Sequence, residues 1–171
     1  IVELEKSAAA WTLKHLGIIP NPIGHLIIQN PEQRNLFIES IKKLISLSKI
    51  SKLNVRVGLP ESHVYTRVVK MPALSDTELA SAIRWEAEQH IPIPLTEVQL
   101  DYSVLSRPEK GVKEGTMEVL LVAAKKDIIN YFTDILGSAG LELAGMETAI
   151  LGLVRALAAP EDSPTLFMNM G

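Results

Sequence analysis

Residues Val57–Tyr102 read VGLPESHVYTRVVKMPALSDTELASAIRWEAEQHIPIPLTEVQLDY, and the order of signals in this stretch decides the fold. Pro60 closes one alternating run, and Val64–Met71 alternates again until Pro72 stops it. Each run reads as a strand bounded by a residue that cannot donate a ladder hydrogen bond. Ser75-Asp76-Thr77-Glu78 places serine three residues ahead of glutamate, the capping-box spacing that starts a helix, here running to about His90. Pro92 and Pro94 end it, and Val98, Leu100, Tyr102 and Val104 alternate as the face of a further strand. At about 100° per residue, Leu79, Ala80, Ala82, Ile83 and Ala87 share one stripe of the helix. Trp85 falls to one side, beside Glu78, Ala82 and Gln89, where it reads either as packed under a neighbouring strand or as an aromatic anchor at a partner groove. A large aromatic on the flank of the helix suggests a folded platform that presents a surface, not a row of catalytic groups.

Upstream, Ile1–Glu5 and Ala9–Ile19 read as a hairpin turning near Lys6-Ser7, with Trp11, Leu13 and His15 expected on one face. Pro20-Asn21-Pro22 marks a turn, and His25–Gln29 is a short strand candidate. Asn30-Pro31-Glu32 sets an asparagine cap before proline at the first helical position. The helix that follows, to about Ser48, carries Leu36, Phe37, Ile41, Leu44, Ile45 and Leu47 over a wide arc. Leu53–Leu59 is a strand. Downstream, Arg107–Thr116 is a charged loop with Pro108, Gly111 and Gly115, and Glu118–Ala124 is a nearly continuous apolar strand. Asp127–Ser138 is an amphipathic helix closed by Gly140. Leu141–Met146 reads as a strand, Glu147–Ala159 as a helix, and Pro164 opens a last strand. A hairpin followed by alternating strands and helices predicts a mixed sheet with helices on its faces. The strand-helix-strand-strand block between Glu61 and Ala124 can form a small sheet of its own.

A chain of 171 residues can bury one substantial core, or one core carrying a smaller lobe. Net charge of -3 and a pI near 5.8, with Lys and Arg dispersed, argue against a nucleic-acid footprint. The absence of cysteine removes disulfides, thiolate chemistry and cysteine zinc sites, and fits a cytosolic setting. No apolar run approaches the ~20 residues that span a bilayer. His15, His25 and His63 lack the close spacing of metal ligands. Ser62-His63 has no acidic neighbour in a nucleophile elbow, and Gly111-x3-Gly115 lacks the Lys-Ser/Thr ending of a phosphate loop. Glu86 and His90, at i and i+4, read either as a general base pair or as a pair closing a helix end. The chain begins at Ile1 inside an alternating run and stops at Gly171 directly after the apolar run Thr165–Met170, so it is expected to be a fragment.

Several segments together carry a resemblance. They are Gly58-Leu59-Pro60, Met71-Pro72-Ala73-Leu74, Ala82-Ile83-Arg84-Trp85-Glu86-Ala87-Glu88-Gln89, Ile91-Pro92-Ile93-Pro94 and Asp101-Tyr102, followed by Val119–Lys125 and Ala139-Gly140-Leu141. In this order they resemble the type IV pilus assembly protein PilM family, whose actin-like fold is related to the cell-division protein FtsA. The resemblance implies an α/β fold: an actin-like (ribonuclease-H-like) mixed sheet with helices, plus an inserted strand-helix-strand-strand subdomain. It assigns 1–60 and 140–160 to the first lobe, 61–139 to the inserted subdomain, and 161–171 to the start of a truncated second lobe. Leu59 and Gly140 are expected to lie close together. The implied function is a cytoplasmic scaffold, not an enzyme, associated with the inner membrane through partners. It would dock the N-terminal tail of a PilN-type inner-membrane protein in a groove between the main lobe and the insert. Trp85, Gln89, Met117 and Val119 are the residues expected to line that groove. ATP and Mg are implied for the full-length parent. Their Asp-containing phosphate loop would precede Ile1, and Asn169-Met170-Gly171 stands where a second, Asp-Ile-Gly-type loop would begin, so this chain itself is expected to hold no nucleotide. The rival readings are an actin-fold ATPase or sugar kinase, an FtsA-type membrane tether and a GspL-type secretion protein.

Overall fold

Proline and glycine punctuation sets most of the element boundaries. The computed structural model describes residues 1–8, 10–24, 30–108, 115–157, 166 and 168. The expected strand at His25–Gln29 lies outside the described residues, as does the one after Pro164 apart from Leu166 and Met168, and so do Gly111, the Asn169-Met170-Gly171 segment and positions 158–159 of the last helix. The order is β1 (Val2–Lys6), β2 (Trp11–Leu16), α1 (Pro31–Leu47), β3 (Asn54–Leu59), a 3-10 turn (Glu61–His63) and β4 (Val64–Pro72). Then come α2 (Asp76–His90), β5 (Val98–Ser106), β6 (Thr116–Lys125), α3 (Lys126–Ser138), β7 (Glu142–Thr148) and α4 (Ala149–Leu157). The chain divides into two compact units, Ile1–Val57 with Asn130–Met146, and Gly58–Ile129 with Glu147–Gly171.

In the first unit, β1 and β2 pair antiparallel, with Val2 opposite Leu16, Glu3 opposite His15 and Leu4 opposite Leu13. A register shift between Glu3 and Leu4 puts two β2 residues against one, so His15 shares a side with Glu3 while Leu13 shares the other with Leu4. The single-face expectation for Trp11, Leu13 and His15 fails because a bulge interrupts the period of two. In α1 the Asn30 side chain accepts from the Glu32 amide at 2.8 Å, and Ile38 packs with Ile135 and Ala139 of the α3 end. Helix α3 ends in a Schellman motif. Leu141 N–H donates to Leu136 O (2.9 Å) and Gly140 N–H to Gly137 O (3.0 Å), with Gly140 at φ +84°, where glycine is unstrained. Helix α1 ends the same way, with Lys49 at φ +55° in the left-handed position.

Strands β3 and β7 form a two-stranded sheet. Glu142 N–H donates to Leu53 O at 2.9 Å, and a Cβ on Gly58 would lie 3.4 Å from Ala149 Cα. Both numbers rise together, so the strands run parallel. Parallel neighbours need a crossover element, and α3 supplies it. Residues from Asn130 to Met146 group with Ile1–Val57 in the first unit.

In the second unit, β6 is the central strand of the antiparallel order β4-β6-β5. Helix α2 lays Leu79, Ile83 and Ala87 on one face of this sheet, against Val69, Met71, Val98, Met117, Val119, Leu121 and Ala123. Every residue in that set is buried, and at about 1.5–3 kcal/mol per buried aliphatic side chain this cluster is the main stabilising force of the unit.

Candidate partner-binding surface

The inward stripe of α2 is fixed by the core, so its opposite flank is presented to solvent as a rigid surface. The capping box at its start is complete: Glu78 N–H donates to Ser75 Oγ at 3.4 Å, and Ser75 N–H donates to Glu78 Oε2 at 2.9 Å. The Ser75 hydroxyl and amide hold the Glu78 carboxyl below its ordinary value, since both favour its charged form. Arg107, just after β5, donates to Leu74 O at 3.3 Å and pairs with Asp76, tying that end of the sheet to the start of the helix. At the far end, Ile91 N–H donates to Ala87 O at 2.9 Å, and His90 Nε2 lies 3.5 Å from Glu86 Oε2, a pair that closes the last turn.

On this helix Trp85 is 64% exposed, and Arg84, Glu88 and Gln89 are exposed with it. Trp85 and Gln89 are one turn apart and form a single patch. Met117 and Val119 are not part of it. Both are fully buried on the α2-facing side of β6, so they act in the core and do not line a groove with Trp85. The assignment failed because both alternating sets of β6 are apolar, and alternation alone could not say which set α2 covers. The other set (Glu118, Leu120, Val122, Ala124) is half-buried. With Val68, opposite Leu120 and 48% exposed, Leu120 and Val122 give the outer sheet face some apolar surface, beside the Lys70–Glu118 ion pair and Asp101 opposite Val122.

The two edges of this sheet differ. Strand β5 carries a register shift between Val104 and Ser106, which blunts an edge. Strand β4 pairs with β6 over nine residues without a shift, leaving a regular outer edge of the kind that accepts an extended peptide. Among the described residues, no three His, Asp or Glu side chains gather to hold a metal ion, and no helix is long and apolar enough to cross a membrane. The arrangement offers surfaces for binding and shows no assembled bond-making centre among the described residues.

A model of the family described as type IV pilus assembly protein PilM matches residues 1–159. Among solved structures, the chain is similar to one from a "PilM-PilN type IV pilus biogenesis complex", with 29% identity and a TM-score of 0.76 over 91% of this chain. The chain spans 46% of the length of that match. A second similarity, at 20% identity and a TM-score of 0.49, is to the cytoplasmic domain of EpsL, an inner-membrane component of the type II secretion system of Vibrio cholerae. It covers 73% of this chain and 46% of the other.

Proposed function

Since the chain belongs to the type IV pilus assembly protein PilM family, with the mixed α/β, actin-like fold expected of it, we propose that it serves as a scaffold in pilus assembly. In this reading it docks an extended tail of a PilN-type inner-membrane protein. The observation that carries the proposal is the match to a chain solved in a PilM-PilN complex, at 29% identity over 91% of this chain. The surface we assign to the tail includes the exposed patch of Trp85 and Gln89 on α2. Aromatic side chains at such positions concentrate binding energy. The scaffold would act on the cytoplasmic side of the inner membrane, held there by its partner.

A catalytic role has less support. An ATPase or kinase needs acidic side chains converging on phosphate and metal, and no such cluster stands among the described residues. Calorimetric titration of the chain with a PilN-type N-terminal peptide tests the proposal. Saturable one-to-one binding is expected, and its absence at high peptide concentration would overturn the docking role.

A further inference from the structure

Strand β4 is one outer edge of the three-stranded sheet in the second unit, and the hydrogen bond just past its end fixes which way its backbone groups point. Ala73 N–H donates to Gly115 O at 2.9 Å, continuing the register in which Pro72 lies opposite Thr116. Backbone groups alternate in direction along an antiparallel strand, so Tyr65, Arg67, Val69 and Met71 bond to β6. Thr66, Val68 and Lys70 turn N–H and C=O outward. Pro72 falls in the outward set, where its missing N–H breaks no ladder bond. Val64, also in that set, donates its N–H to Glu61 O in the 3-10 turn. Among the described residues, the outward amides of Thr66, Val68 and Lys70 have no partner.

The side chains are open as well. Tyr65, Thr66, Arg67 and Val68 are exposed in succession, so neither face of the strand is covered there. Val69 and Met71 pack in the core with α2, so the helix covers only the later part of β4. Natural edge strands are commonly blunted by bulges, charges or prolines. Here nine residues pair without a shift, and proline stands only at the last position. The strand's two charges are both cations, Arg67 and Lys70. Lys70 is neutralised by Glu118 at 3.2 Å. Arg67 has no ion pair among the described residues.

We propose that β4 accepts an extended acidic segment of a partner protein as a further strand of this sheet, with a carboxylate opposite Arg67 and an apolar residue opposite Val68. Opposite charges facing each other across a strand pair attract, and like charges repel. That rule disfavours a second copy of this chain at the same edge. Outward residues must meet outward residues, so the central self-pairings set Val68 opposite Val68, or Thr66 opposite Val68. The first places the two Arg67 side chains diagonally on one face, and the second places them directly opposite. An acidic segment meets the same arginine favourably. Its side chains alternate between the sheet faces. The carboxylate therefore shares the α2 side with Tyr65 and Val69, and the apolar residue shares the other side with Leu120, the partner of Val68. This surface is additional to the Trp85 patch, and the inference does not rest on docking there.

Two synthetic peptides of about eight residues, alternating valine and threonine, test it. They differ at one central position, glutamate in one and lysine in the other, and each is titrated into the isotope-labelled chain and followed by NMR. The glutamate peptide should bind saturably and roughly threefold or more tighter than the lysine peptide. Its binding should shift the amides of Thr66, Val68 and Lys70, and the preference should shrink at about 1 M salt. Arg67→Glu, at an exposed position, should reverse the preference and leave the melting temperature unchanged. A glutamate peptide methylated on every amide should not bind, and Trp85→Ala should leave both affinities as they were. Equal affinity for the two peptides, absence of binding, or shifts that leave the β4 amides untouched would overturn the proposal. So would a dimer of the chain with the β4 amides already protected from exchange, because a second copy would then be the occupant.

Discussion

Replacing Trp85 with alanine should separate surface from core. The side chain is 64% exposed, so roughly a third of its surface is covered. A fully buried aromatic covers up to ~250 Å². A third of that, at ~25 cal/mol per Å², limits the loss on truncation to about 2 kcal/mol. The better helix propensity of alanine returns a few tenths of a kcal/mol. The expected destabilisation is therefore below about 2 kcal/mol, against the roughly 3–5 kcal/mol that truncating a buried tryptophan costs. Binding should respond differently. An interface hot spot is worth about 2 kcal/mol or more, which is a weakening of about 30-fold in Kd. Thermal melts and calorimetric titration of a PilN-type tail on the same variant measure both quantities. A strongly destabilised protein that binds the tail with unchanged affinity would refute the assignment of Trp85 to the partner surface.

The core residue Met117 should behave in the opposite way: Met117→Ala is expected to cost about 2–5 kcal/mol of stability in denaturant melts, with tail affinity unchanged in the folded fraction. Lys49 occupies a left-handed position at φ +55°, so Lys49→Gly should stabilise by about 1 kcal/mol, visible as a raised unfolding midpoint. Glu3, held below its ordinary carboxyl range first by the Ser51 amide and then by the Ser51 hydroxyl, and Glu78, held low by Ser75, have folded pKa values below the unfolded ones. Their stabilisation is therefore complete above the unfolded carboxyl value of about 4.5 and is lost as pH falls through the lower folded values. Melts from pH 6 to pH 3 should show this acid loss, and Glu3→Gln together with Glu78→Gln should flatten it.

Much of this architecture is written in local chemistry. Ser75 and Glu78 fix the start of α2, Asn30 and Pro31 that of α1, and Gly140 the end of α3, because caps and turns depend on residues only a few positions apart. The features that escaped the sequence reading depend on distant partners. The bulge opposite Glu3 exists only in the pairing of two strands. The direction of β3 relative to β7 emerges only from Leu53 meeting Glu142 and Gly58 meeting Ala149. The exposure of the candidate surface residues was half legible. Trp85 and Gln89 are exposed as the helical stripe implies, but β6 is apolar on both alternating sets, and only the packing of α2 makes Met117 and Val119 core.

The most direct test of the docking role is an NMR titration of the isotope-labelled chain with an unlabelled PilN-type N-terminal tail. The account predicts saturable shifts at Arg84, Trp85, Glu88 and Gln89, including the Trp85 indole N–H. A spectrum unchanged at millimolar peptide, or shifts that leave all four residues untouched, would contradict it.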